Sequence, residues 1–196
     1  WKGHGPSVRR CGTGYRCKMT KHILPYKGTR PSISDDAFIA PNATIIGDVE
    51  IGPDTGIWFN CVIRGDVNEI RIGARTNIQD GTIIHVASQS QGTYIGDDIT
   101  IGHMALIHAC TLEDGCFIGM QATVMDGAHI EAGAMVAAGA LVTPGKRIGG
   151  GQLWAGSPAR MVRELNENDL KIMQYTAPHY VELARQYISE IGDTKA

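Results

Sequence analysis

The sequence predicts an all-β solenoid, a parallel β-helix built from hexapeptide repeats and followed by one C-terminal α-helix. Three observations predict it. Aliphatic residues recur every six positions, through Ile39, Ile45, Ile51, Ile57 and Ile63. After a three-residue slip the series resumes at Ile72, Ile78 and Ile84, and after a longer break at Ile95, Ile101 and Ile107. One five-residue step then leads to Leu112, Ile118, Val124, Ile130, Val136 and Val142. Second, small residues follow many of these positions or sit near the turn, as at Gly47, Gly52, Gly73, Gly96, Gly102, Gly119, Gly133 and Ala137. Third, the apolar spacing becomes helical from Met173 onward. A repeat of period six is the mark of stacked β-helical coils.

Each unit supplies one short strand and one turn. Its aliphatic residue points inward, because successive strand side chains face opposite sides. Period six fixes neither the number of units per coil nor the hand. Here the chain resembles hexapeptide-repeat proteins, which implies a left-handed helix with three units per triangular coil. Coils of about eighteen residues then stack at roughly 4.8 Å, and residues three units apart share a column.

That column count places the polar residues. His85 follows Ile84 and His108 follows Ile107, three units on, so both are expected to project outward from adjacent coils. Two imidazoles about 4.8 Å apart at their bases can converge on one ion, whose Zn–N distances are roughly 2.0–2.1 Å. Arg64, after Ile63, falls in the same column. His103 lies two residues after Ile101, on the neighbouring face, and Asp80, two after Ile78, stacks with it. If His103 serves the same ion, it arrives most simply from another subunit. Gln79 and Asn77 flank that second position. A three-fold trimer would press the first face of one copy against the second face of the next. His4, His22, His129 and His179 share no such register and receive no role.

The segments Asn60-Cys-Val-Ile-Arg-Gly-Asp66, Asn77-Ile-Gln-Asp-Gly-Thr82, His85 and Ile101-Gly-His-Met-Ala-Leu-Ile-His108 resemble the gamma-class carbonic anhydrases over residues 22–190. The resemblance implies a homotrimer with zinc, iron or cobalt at each interface and reversible hydration of CO2 to bicarbonate. It implies His85 and His108 from one subunit and His103 from the next as ligands. Arg64 and Asp66 resemble an intersubunit salt-bridge pair, and Asp80 a partner of that network. Gln79 resembles the residue that orients the metal-bound hydroxide, with Asn77 beside it. Tyr180 resembles a tyrosine leaning over the site from the C-terminal helix. Three neutral ligands leave the ion's charge uncancelled and a fourth position open to water, which then ionises near pH ~7. The chain departs from some members in having Val67 where they carry a glutamate after the Arg-Gly-Asp. It also has a short loop without acids after His85. A slow reaction is therefore expected.

Composition agrees with one domain. The 196 residues carry 18 Lys and Arg against 20 Asp and Glu, without a basic patch, so nucleic acid is excluded as a partner. No run approaches the ~20 apolar residues of a membrane span. Five cysteines show no metal-site spacing; Cys61, Cys110 and Cys116 fall inside the repeats and read as free thiols in a reducing cytoplasm.

Residues 1–18 are basic, aperiodic and lack a signal-peptide core. Met19 is read as the natural start and the preceding stretch as a disordered tag or extension. Residues 22–38 should lead into the first coil, within a β-helix domain spanning 19–165. Trp154-Ala-Gly-Ser-Pro-Ala-Arg160 reads as the loop common after hexapeptide helices. Asn166 caps a helix in the 166–196 segment, with Asp169 near its positive end. The stripe Met173, Ala177, Tyr180, Val181, Ala184, Tyr187, Ile188 and Ile191 should pack along the β-helix, and Pro178 should break or restart the helix. Two rival functions share the fold: a hexapeptide acyltransferase using CoA-type donors, and a metal-binding homologue with a scaffold role. The acyltransferase needs no three-histidine ion site.

Overall fold

The computed structural model describes residues 22–88 and 91–192. The reading of residues 1–18 as an extension lies outside these. About seven coils stack as a parallel β-helix, and one helix follows.

The six-residue count maps onto three faces. On the first, Ile45, Ile63, Ile84, Ile107, Val124 and Val142 lie directly opposite one another on successive strands. The second stacks Ile51, Ile72, Ile95, Leu112, Ile130 and Ile148. The third stacks Ile39, Ile57, Ile78, Ile101, Ile118, Val136 and Trp154. The first-face residues are completely buried. Each aliphatic side chain therefore packs on the same phase of the coils above and below. Full burial of one such side chain is worth about 1.5–3 kcal/mol. The corner between the third and first faces is lined by the buried small residues Ala43, Cys61, Thr82, Ala105, Ala122 and Ala140, where the turn leaves no room for more.

The breaks in period are absorbed at corners. The strand Val62–Ile72 pairs with Thr44–Ile51 through Gly47 opposite Gly65, then resumes with Val49 opposite Ile70. Four residues, Asp66 to Glu69, thus oppose Asp48 alone, which accounts for the three-residue slip. The longer break falls in the segment after His85, where Asn68 donates its side-chain amide to the Ala87 carbonyl.

Two local expectations are corrected. The Trp154–Arg160 segment is not simply a loop. Gln152–Ala155 and Arg160–Glu164 form an antiparallel hairpin, and its second strand lies at the end of the third-face sheet. Nor does Pro178 break the helix, which runs unbroken from Glu167 to Ile191. Proline removes one helical N–H, but Ala177 and Ala184 are buried on either side of it, and this tertiary packing carries the helix through. The Asn166 cap is as expected. Its side chain accepts from the Asn168 and Asp169 N–H groups, and the Asp169 carboxylate accepts from the Asn166 N–H.

The helix lies on the third face. Tyr187 meets Phe38, Trp58 and Phe59 with ring centroids 5.5, 5.3 and 5.8 Å away. Arg185 reaches Asp54 at 3.0 Å. This packing brings Tyr180 edge-on to Trp58, with 5.3 Å between centroids.

Candidate metal centre

His85 and His108 are directly opposed on neighbouring first-face strands, as the column count requires. The backbone register thus sets their separation, and the rings close it. His85 Nδ1 lies 3.2 Å from His108 Nε2. Two nitrogens on a tetrahedral ion at roughly 2.0–2.1 Å stand about 3.3 Å apart, so this pair has the bite of two metal ligands.

The far nitrogens are both engaged. His85 Nε2 lies 3.0 Å from Asp66 Oδ1, and His108 Nδ1 lies 2.7 Å from Asp126 Oδ1. Asp66 also takes the Arg64 guanidinium of its own chain. Partial burial opposes the Asp66 charge, yet His85 and Arg64 outweigh it and hold the carboxyl below the usual carboxylate range. Asp66 further lines a cleft of about 300 Å³ with Tyr26, Lys27, Asp48 and Glu69. In that cleft Glu69 is occupied at both oxygens, by Arg71 at 2.7 Å and by the Tyr94 hydroxyl at 2.9 Å.

His103 stands apart, at the corner between the third and first faces. Its Nδ1 is 2.9 Å from Asp80 Oδ2, the stacking that counting placed there. Asn77 and Gln79 project from the same coil as Asp80 and are almost fully buried. The Gln79 amide donates to Asn77 Oδ1 at 3.1 Å, and Asn77 donates to Thr100 Oγ1 and the Ile99 carbonyl. Gln79 sits between Trp58 and Gly102 on the adjoining coils. Tyr180 overlooks this group from the helix. Burial, and then the Asp80 charge, push its hydroxyl above the usual tyrosine value.

One chain therefore carries two separate groups of these residues. Arg64, Asp66, His85 and His108 form one, and Asn77, Gln79, Asp80, His103 and Tyr180 form the other. Among the described residues, no group of three or more His, Cys, Asp or Glu is arranged within one chain to hold an ion. Sequence reading missed Asp126. It lies one coil beyond His108, but the column itself passes through Met125, and only the path of the side chain brings Asp126 to the imidazole. Cys61, Cys110 and Cys116 are buried free thiols. Burial pushes the Cys61 thiol up to about 12, away from the reactive thiolate form.

Comparison with known proteins agrees with this architecture. A family model described as bacterial transferase hexapeptide (six repeats) matches residues 30–65 and 109–144. Gamma carbonic anhydrase 2, mitochondrial, of Arabidopsis thaliana is 47% identical over 82% of this chain, which spans only 59% of that protein's length. A carbonic anhydrase of Geobacillus kaustophilus is 48% identical over 84% of this chain and 90% of its own. The crystal structure of a hexapeptide transferase family protein from Anaplasma phagocytophilum superposes with a TM-score of 0.82 at 47% identity, covering 85% of this chain and 98% of that one. The repeat register and these identities together place the chain in the gamma carbonic anhydrase family, within the hexapeptide-repeat superfamily.

Proposed function

We propose that the chain is a divalent-metal carbonic anhydrase that interconverts CO2 and bicarbonate at the interfaces of a homotrimer. The observation that carries this is the 3.2 Å approach of His85 Nδ1 and His108 Nε2, each ring backed by a carboxylate. His85 and His108 of one copy and His103 of the next would hold the ion. Zinc is the first choice, with ferrous iron or cobalt also compatible with imidazole. Such an ion supplies the Lewis acidity that makes water nucleophilic near neutral pH.

The chain's own residues do the rest. Asn77 takes one amide hydrogen of Gln79 and so fixes the carboxamide plane, letting Gln79 orient the attacking oxygen. Arg64 and Asp66 brace His85 and, in a trimer, would face Asp80 of the adjacent copy. Tyr180 and Trp58 form an apolar wall beside Gln79. A trimer is supported by surface that one chain leaves open. Ile83 is 46% exposed on the first face beside His85, and Met104 and Met120 are 58% and 53% exposed beside His103. In the proposed homotrimer these surfaces would meet in a heterologous contact repeated around the three-fold axis.

Proton exit distinguishes this chain from a fast enzyme. Val67 cannot carry a proton, and Glu69 is tied to Arg71 and Tyr94. This favours slow turnover, and it is the observation behind the second reading, a metal-binding scaffold with little catalysis. No helix among the described residues is long and apolar enough to cross a membrane. The buried thiols fit a reducing compartment, whether the cytoplasm expected from the sequence or the mitochondrion in the name of the Arabidopsis relative.

The test is stopped-flow CO2 hydration by zinc-loaded, anaerobic iron-loaded and chelator-stripped protein, with His103→Ala alongside. A metal-dependent rate, abolished together with metal content in His103→Ala while the trimer persists, supports the proposal. Full metal content in His103→Ala refutes the intersubunit ligand set. Bound metal without any rate selects the scaffold, and acyl transfer without metal selects the acyltransferase.

A further inference from the structure

We propose that Asp126 is a positioning residue of the metal centre, fixing which nitrogen His108 offers to the ion. The inference rests on the reading of the histidines as ligands. A neutral imidazole has one N–H and one lone pair, and the hydrogen-bond partner decides which nitrogen carries which. At 2.7 Å, Asp126 Oδ1 keeps the proton on His108 Nδ1 and turns the Nε2 lone pair toward His85. Asp66 does the reverse to His85, engaging Nε2 at 3.0 Å and leaving Nδ1 free. The carboxylates thus select opposite nitrogens on two neighbouring rings tilted by 52°, and those are the nitrogens that converge. Asp80 Oδ2 stands 2.9 Å from His103 Nδ1, an ion-pair distance. The pair of nitrogens that Asp66 and Asp126 set is mixed, one Nδ1 and one Nε2.

The carboxylate is itself held in place. The backbone of Asp126 and its neighbour is pinned to both adjacent coils, with Gly127 N–H donating to the Ala109 carbonyl at 2.7 Å and Gly145 N–H to the Asp126 carbonyl at 2.8 Å. A side chain on such an anchored turn orients His108 with little ordering left to do when the ion binds. A fourth His–carboxylate contact, His129 Nε2 to Glu113 Oε1 at 2.5 Å, lies on the second face with no other imidazole of the described residues beside it and serves as a control.

The experiment measures zinc dissociation constants by chelator competition for wild type, Asp126→Ala, Asp126→Asn and Glu113→Gln. Imidazole ¹⁵N shifts of the metal-free proteins are recorded in parallel. Asp126→Ala should bind zinc about 10–100-fold more weakly. Its His108 proton should move from Nδ1 toward Nε2. Asp126→Asn still accepts the Nδ1 proton, so it should keep the tautomer and lose less affinity. Glu113→Gln should match wild type. Asp126→Ala binding as tightly as wild type, or no more weakly than Glu113→Gln, overturns the inference while leaving the metal reading intact. Wild type that binds no zinc overturns both. Should Asp126→Ala not fold, Asp126→Leu takes its place: zinc affinity and His108 tautomer both equal to wild type overturn the inference, and a loss of both supports it.

Discussion

Gly65, between Arg64 and Asp66, offers the sharpest test of how tightly the coils are stacked. A methyl group there would lie 2.3 Å from the Asp48 carbonyl oxygen, 2.9 Å from its carbonyl carbon and 3.2 Å from the Asn68 oxygen. All of these are backbone atoms, so no side chain can swing aside. Ordinary contact begins near 3.4 Å, so the two coils must part locally by about 1.1 Å. Inter-coil hydrogen bonds, such as the 2.8 Å bond from Thr44 N–H to the Cys61 carbonyl, do not survive such an opening. Overpacking costs about 1–3 kcal/mol, and one or two weakened bonds add about 1 kcal/mol each. Gly65→Ala should therefore lose about 2–5 kcal/mol in urea denaturation. Gly133→Ala is the reference. Its φ is +66° but nothing lies within 4 Å of the added methyl, so only the left-handed conformation costs, roughly 1–2 kcal/mol. Zinc affinity should fall in Gly65→Ala as well, because Arg64 and Asp66 move with the backbone. If Gly65→Ala costs no more than Gly133→Ala, the close stacking at this corner is wrong.

Two further outcomes follow from the helix. Pro178→Ala restores an N–H to the Gln174 carbonyl in an unbroken helix, so thermal unfolding should shift upward by the equivalent of about 1 kcal/mol or more; a downward shift would mean that the proline ring packs usefully. Asp169 is held below the usual carboxylate range by the Arg163 guanidinium and then the Asn166 N–H. A depressed folded-state value stabilises above the ordinary aspartate value of about 3.9, and the benefit disappears as pH falls through the folded value. Wild type should accordingly exceed Asp169→Asn in stability at pH 7, and the two curves should converge below about pH 4. Curves that stay parallel to lower pH would remove the cap from the account.

The repeat made the interior legible. One inward residue in six, counted through three irregular steps, assigns each strand to its face, because side chains alternate and the coil returns to the same phase. The same arithmetic put His85 over His108 and Asp80 beside His103. It could not see contacts made by side chains that leave their column, and Asp126 is one of these. Nor could it see that Phe38, Trp58 and Phe59 would be roofed by Tyr187, since nothing in the repeat says which face the helix will choose. Pro178 shows the converse. A rule of local geometry was right about the missing hydrogen bond, but burial of Ala177 and Ala184 outweighed it. Under the proposed trimer, the exposed Ile83, Met104 and Met120 are where a neighbour would sit.

The hairpin at the end of the solenoid bears on solubility. A parallel coil presents its terminal strand as a template on which another solenoid can dock and grow a fibre end to end. Here the chain doubles back over its own last coil. Arg160–Glu164 runs antiparallel to Gln152–Ala155 and occupies the third-face edge. The turn before it covers the first-face edge, with Leu141 N–H donating to the Gly156 carbonyl and Ala159 N–H to the Leu141 carbonyl. Two of the three edges at this end are thereby satisfied within the molecule. A chain cut before Gly156 would keep its coils with His85, His103 and His108 yet expose those two edges, leaving a solenoid prone to polymerise.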